Sequence, residues 1–168
     1  METSGNDECL DFLNDCLKVV SPLRGAYINI GYYDLPKTVL GRVTAEIEIT
    51  RTKRTTGLFK RHVVTTVRRK IRNKEFYIKI NRLFLKIENE NFREEIIKSI
   101  IIHELLHIER KDLIETSKNY RKRKHKKIHS SLEREALSRL NALRRIEGLP
   151  ELSRKNYIEK EISRLISK

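Results

Sequence analysis

The run Ile100-Ile101-Ile102-His103-Glu104-Leu105-Leu106-His107-Ile108 constrains this chain more than any other stretch. It sets His-Glu-x-x-His inside an apolar, helix-forming segment that begins near Phe92. On an α-helix, positions i and i+4 lie one above the other, so His103 and His107 point the same way. Two imidazoles at that separation can hold one Zn²⁺ and leave positions open for water and a third ligand. Glu104 follows about 100° around the helix, where its carboxylate can take a proton from an attacking water. The flanks supply the helix. Asn91 is the expected N-cap, Glu94 and Glu95 fall in the first turn, and Ile96, Ile97, Ile100, Ile101, Leu105 and Ile108 give a broad apolar surface. Two histidines around a glutamate, in a helix too apolar to be a solvated face, are not what packing alone would select.

The rest of the composition narrows the setting. The 168 residues suit one domain with a helical appendage. A formal charge of +14 and a pI near 9.9, with 36% of residues charged, favour a polyanionic partner, nucleic acid before an anionic membrane. No apolar run approaches the ~20 residues of a membrane span. The start, Met1-Glu2-Thr3-Ser4, is acidic and no apolar region follows, so no secretory signal is expected. Cys9 and Cys16 fall about two turns apart on one expected helix, too far apart to pair. The reading is cytosolic, with association to DNA or nucleoid compatible with the charge.

In chain order, 7–20 reads as a helix with an apolar stripe of Leu10, Phe12, Leu13, Cys16 and Leu17, stopped by Ser21-Pro22. Residues 25–33 have strand chemistry, broken by Asp34-Leu35-Pro36. Over 42–51, Val43, Ala45, Ile47 and Ile49 alternate with Thr44, Glu46, Glu48 and Thr50, the pattern of a half-buried strand. A turn is expected over 53–57, then a β-branched strand over 62–71 whose end is crowded by Arg68, Arg69, Lys70, Arg72 and Lys74. Asn73 marks a tight turn into a further strand over 75–80, where Phe76, Ile78 and Ile80 alternate with Tyr77 and Lys79. The motif helix is expected to run through Asp112 to about Thr116. Residues 118–127 hold seven Lys or Arg in ten positions, a self-repelling block that suits a solvated loop. Arg121, Lys122, Arg123, Lys124, Lys126 and Lys127 are candidate phosphate contacts there, and Tyr120 could stack on a base. A helix over 130–147 follows with Leu132, Ala136, Leu140 and Leu143 in its stripe, ended by Gly148 and Pro150, and a last helix starts near Ser153.

A catalytic zinc takes three protein ligands and keeps one open position. Downstream of His107 the candidates are Asp112, Glu115, His125, His129, Glu133 and Glu135. Asp112 and Glu115 would ride the motif helix and could not swing round to the metal. His125 sits in the basic block, where a further cation is unfavourable. His129 directly precedes Ser130-Ser131-Leu132-Glu133, a capping-box pattern that would set it at a rigid helix mouth. Glu133 is then either the return carboxylate of the box or a ligand one turn into the helix. His129 is the favoured third ligand, with Glu133 the alternative.

The segment Phe76-Tyr77-Ile78-Lys79-Ile80-Asn81-Arg82-Leu83-Phe84, followed by a helix ending in Ile102-His103-Glu104-Leu105-Leu106-His107, resembles the SprT-like (Spartan-like) zinc metalloproteases. In that family a third His precedes the next helix, and the stretch from His129 to Asn141 lies on that segment without a gap, with Leu137, Leu140 and Asn141 matching in character. Ser130 replaces the family's Gly, and Glu133 stands where an aromatic is usual. The resemblance covers about residues 25–145. It implies Zn²⁺ on His103, His107 and His129, Glu104 as catalytic base, and protein substrates bound on or crosslinked to DNA. Glu133-Arg134-Glu135-Ala136 also resembles the Glu-x-x-Ala helix of gluzincin-type peptidases, which implies Glu133 as third ligand and the same hydrolysis.

The expected architecture is α+β: an N-terminal helix, an antiparallel sheet of three or four strands, the motif helix, the third-ligand helix and a C-terminal helix. Residues 1–150 would form the metallopeptidase domain and 151–168 an amphipathic helix packed on it or standing apart. The expected activity is that of a zinc-dependent endopeptidase acting on DNA-associated protein, with no membrane partner. Two other readings stay open. One is a regulatory gluzincin-type peptidase, and the other a basic nucleic-acid-binding protein whose metal site is not catalytic.

Overall fold

A computed structural model describes residues 3–57, 62–111, 113, 126–152 and 162–163. Within them the chain forms α1 (Thr3–Leu17), β1 (Tyr27–Tyr33), β2 (Gly41–Thr56), β3 (His62–Asn81), a 3-10 turn (Arg82–Lys86), α2 (Glu90–Glu109) and α3 (Lys126–Ile146). The class is α+β, as expected.

The sheet departs from expectation in three ways. Its order is β1-β3-β2, with β2 antiparallel but β1 parallel to β3, so the sheet is mixed rather than antiparallel. The chain leaves β1, passes the end of β3 and returns along the far side. Asn81 holds that crossover: its side-chain amide donates to the carbonyls of Leu35, Pro36 and Val39, the last at 2.8 Å, and its backbone N–H donates to Leu40. Buried loop carbonyls need such donors, and Asn81 is itself 4% exposed. The second departure is at Asn73, where β3 continues instead of turning back. Ala45 pairs with Phe76 but Ile47 pairs with Ile71, so Glu46 alone faces four residues of β3. Asn73 and Lys74, both at φ +51°, absorb the excess as a bulge. The left-handed backbone that suggested a hairpin is present, but it kinks one long strand. The turn expected over 53–57 is likewise strand as far as Thr56.

The core lies between the inner half of the sheet and the helices. Phe76, Ile78 and Ile80 are fully buried, while Tyr77 and Lys79 on the other face are only partly covered. Burial along α1 falls on Cys9, Leu13 and Cys16, and continues to Val20 just past its end, whereas Leu10 is exposed, so the buried stripe is rotated from the one expected. Helix α2 is buried almost all round from Ile96 to Ile108, as a central core helix must be. Its cap is Asn89, not Asn91: the Asn89 side chain accepts from Phe92 N–H. The helix also stops earlier than expected, at Glu109, where Lys111 turns to φ +56°.

Helix α3 begins at Lys126, four residues before the expected start, so Ser130 and Glu133 lie inside a helix and do not cap it. Its far end closes as expected. Gly148 adopts φ +73°, Leu149 N–H reaches Arg144 C=O and Gly148 N–H reaches Arg145 C=O, a Schellman ending. Asn141 then latches the following segment, exchanging hydrogen bonds with both backbone groups of Leu152. Ile162 and Ser163 are helical and Ile162 is buried; the rest of the expected C-terminal helix lies outside the described residues.

A polar network ties three helices together. Lys98, 1% exposed, donates to Asp15 of α1 at 2.7 Å and to Glu94 at 2.6 Å, and Glu94 also accepts from Arg144 of α3. A buried ammonium is tolerated only with such partners. No helix among the described residues is long and apolar enough to cross a membrane.

Candidate metal centre

His103 and His107 project from one face of α2, and α3 brings His129 against them. The three ring centroids lie 4.8, 4.4 and 4.6 Å apart, and one potential ligand atom from each residue falls within 4.8 Å of the others. His103 Nε2 and His107 Nε2 approach to 3.2 Å. All three expected histidines therefore converge on one point, two from the motif helix and one from a helix 22 residues further along the sequence from His107 to His129.

The donor set suits a cation. His129 is 7% exposed and its Nε2 is buried without a hydrogen-bond partner, a cost that a metal ion in the cluster would remove. Burial holds the His129 ring at a pKa of about 4, with the His103 and His107 rings pushing the same way, Glu133 opposing and Arg110 adding to the fall. The ring is thus neutral at physiological pH, the form that can coordinate. Three imidazoles suit zinc, copper, iron or nickel better than magnesium or calcium.

Because α3 starts before His129, His129 and Glu133 sit at i,i+4 on one face and both look into the site. Glu133 Oε1 lies 2.5 Å from His103 Nδ1 and 3.4 Å from His129 Nε2. With His103 Nε2 toward His107 and Nδ1 toward Glu133, the carboxylate can fix the ring's tautomer and orientation from behind. Arg110, at the end of α2, places a guanidinium nitrogen 3.5 Å from His129 Nδ1. The His103 side chain is 40% exposed against 9% for His129, so the cluster opens to solvent on the His103 side.

Glu104 is almost buried and its Oε2 accepts a 2.9 Å hydrogen bond from the backbone N–H of Val43. Strand β2 is an edge of the sheet, and it can lie this close to α2 because of Gly41. A Cβ at Gly41 would meet Ile100 Cγ2 of α2 at 2.3 Å and the Lys79 carbonyl at 3.3 Å. Neither Gly41 nor Val43 stands out in the sequence as a site residue; a lone glycine opening an alternating strand was the available signal.

Of the other expected site residues, Arg121, Lys122, Arg123 and Lys124 lie outside the described residues, as do Asp112, Glu115, Tyr120 and His125. Lys126 and Lys127 form the first turn of α3. Comparison with protein-family models, curated proteins and solved structures returns no match to this chain.

Proposed function

We propose that the chain is a zinc-dependent endopeptidase of the SprT-like kind, acting on proteins bound on or crosslinked to DNA. The observation that carries the reading is the convergence of His103, His107 and His129 from two helices, beside a buried Glu104. Zinc held by these three imidazoles would lower the pKa of a water to about 7 and polarise a peptide carbonyl. Glu104 then takes the proton of the attacking water and passes it to the leaving amine. Val43 N–H holds one carboxylate oxygen, which leaves the other to exchange the proton. Glu133 steadies His103 through Nδ1. The net charge of +14 supports a DNA-associated substrate.

The contact of Glu133 with both His103 and His129 also supports a second reading, the gluzincin-type site in which Glu133 is the third ligand. One experiment tests both. Purified protein is assayed for bound metal and for cleavage of a protein substrate with and without DNA, beside the Glu104→Gln, His129→Ala and Glu133→Ala variants. Stoichiometric zinc with Glu104-dependent cleavage supports the peptidase. Tight zinc retained in His129→Ala but lost in Glu133→Ala transfers the third-ligand role. Salt-sensitive DNA binding with no cleavage leaves a nucleic-acid-binding protein with a non-catalytic metal.

A further inference from the structure

Beyond the bulge, β2 and β3 leave the core. From Ile47↔Ile71 to Thr56↔His62 they pair without interruption for ten residues each, a ribbon roughly 30 Å long. Residues 47–56 and 63–70 are all exposed, so neither face of this ribbon covers the body of the domain. A two-stranded ribbon with both faces in water is marginal by itself. This one also carries large β-branched side chains in solvent, Ile49 at 51% and Val63 at 64% exposure. Such an element calls for a partner.

The charge says which. The ten pairs carry Arg51, Lys53, Arg54, Arg68, Arg69 and Lys70 against one acid, Glu48. Directly paired residues point to the same side and sides alternate along each strand, so the register sorts the residues. One side holds Ile47, Ile49, Val63 and Val67 with Arg51, Lys53 and Arg69. The other holds Thr50, Thr52, Arg54, Thr66, Arg68 and Lys70, together with Val64 and with Glu48 directly opposite Lys70. The second side combines hydroxyls with three cations against the single carboxylate of Glu48, and Val64 is its one bulky apolar group. The major groove of B-form DNA, about 12 Å wide, admits a two-stranded β-ribbon, and Arg, Lys and Thr are donors suited to base edges and phosphates there.

We propose that the β2–β3 ribbon is a duplex-DNA-binding arm, seated in the major groove by the side that carries Thr50, Thr52, Arg54, Thr66, Arg68 and Lys70. It gives the DNA-linked part of the proposed function a physical site, but it does not depend on hydrolysis. The arm is specific for DNA over double-stranded RNA, because the A-form major groove is too narrow and deep for it. The apolar side then faces away from the helix axis.

The test is binding of the full chain to a labelled mixed-sequence duplex across a salt series. Each phosphate neutralised adds about 0.9 to the slope of log affinity against log salt. Arg54→Ser/Arg68→Ser/Lys70→Ser should therefore flatten that slope by roughly two to three, while Arg51→Ser/Lys53→Ser/Arg69→Ser should change it by less than about one. Unlabelled DNA duplex should compete, and an RNA duplex of the same sequence should compete at least tenfold less well. All six cations are exposed ribbon residues, so bound metal and thermal unfolding should match wild type, which controls for folding. An unchanged slope in the first variant, an equal loss in the second, or equal competition by RNA overturns the proposal. So does a dimer that dissociates on Ile49→Thr/Val67→Thr with DNA affinity unchanged, since the ribbon would then be a self-association surface. Because no cleavage is measured, a DNA-binding ribbon on a protein that hydrolyses nothing refutes the peptidase alone.

Discussion

Glu104 and Val43 are joined across the interface of α2 and β2 by a 2.9 Å hydrogen bond from the Val43 backbone N–H to the Glu104 carboxylate. The contact couples the chemistry of the motif helix to the placement of an edge strand. A carboxylate lodged in an apolar helix needs a donor, and a strand edge supplies N–H groups that no neighbouring strand uses. Under the proposed mechanism the distance between α2 and β2 would bear on the placement of the base, and it is not set by the motif alone.

Replacing Glu104 by Gln keeps an acceptor for Val43 N–H and removes the base. Fold and metal content should persist while peptide hydrolysis falls by about 10²–10⁴-fold, the usual worth of a positioned proton acceptor. Metal analysis and initial cleavage rates check this, and a Gln variant as fast as wild type would eliminate the hydrolytic role of Glu104.

The ligands and their support should separate cleanly. His103→Ala, His107→Ala and His129→Ala each remove one of three converging nitrogens and should abolish tight metal binding. Glu133→Gln should weaken it only about 10–100-fold, as loss of an outer-sphere carboxylate does. Competition with a chelator of known affinity measures both. Glu133→Asp, which keeps the charge one methylene short, should recover part of the loss. If Glu133→Gln behaves like the histidine variants, the carboxylate is a ligand.

Much of the centre was legible because its chemistry is periodic. His103 and His107 at i,i+4 in an apolar run require one helical face, and His129 was reachable as the best-placed third nitrogen. His129 rides inside α3 instead of preceding a capping box, and this is why Glu133 shares its face. Strand chemistry at Phe76, Ile78 and Ile80 was equally plain, whereas the parallel pairing of β1 was not. It follows from hydrogen bonds of Asn81 to a loop more than forty residues earlier, which no local pattern encodes. The ribbon was missed for a related reason. Alternation at Val43, Ala45, Ile47 and Ile49 reads as half-buried throughout, yet only the part before the bulge meets the core.

Gly41→Ala tests whether the spacing of β2 and α2 is set where the geometry implies. The added methyl would lie 2.3 Å from Ile100 Cγ2, which is fixed at a branched carbon and cannot simply swing away. Overpacking of this kind costs about 1–3 kcal/mol, which exceeds the 0.4–1 kcal/mol that Ala gains by restricting the unfolded chain. Denaturant unfolding should show a net loss of stability. Cleavage should lose turnover more than substrate affinity, because the shift falls on the Val43–Glu104 contact. Wild-type stability in Gly41→Ala would mean that the strand has room to spare.

Acid should attack the fold through the network around Lys98. Burial alone would raise the Asp15 and Glu94 carboxyls, but hydrogen bonds to Asp15 from Lys18 and Lys98, and to Glu94 from Lys98 and Arg144, outweigh it and leave both below their ordinary values of 3.8 and 4.5. A carboxyl depressed in the folded state adds stability that is present above the unfolded pKa and is lost as pH falls toward the folded one. The melting temperature of wild type should therefore gain a component that declines from about pH 5 downward as these two carboxylates protonate. The His129 ring, lowered from 6.5 to about 4, contributes its own decline across that higher interval in metal-free protein. Lys98→Met leaves the His129 component in place and removes the shared ammonium. Near neutral pH it should destabilise by an amount toward the lower end of the roughly 3–5 kcal/mol seen on breaking buried pairs, since Glu94 keeps Arg144 and Asp15 is partly exposed. As pH falls below the ordinary carboxyl values the gap between the two proteins should narrow progressively, because the carboxylates that Lys98 stabilises take up protons as pH approaches their lowered folded values. Melting curves of both proteins from pH 3 to 7 decide it: curves that stay parallel through the acid range would show that Lys98 contributes packing alone.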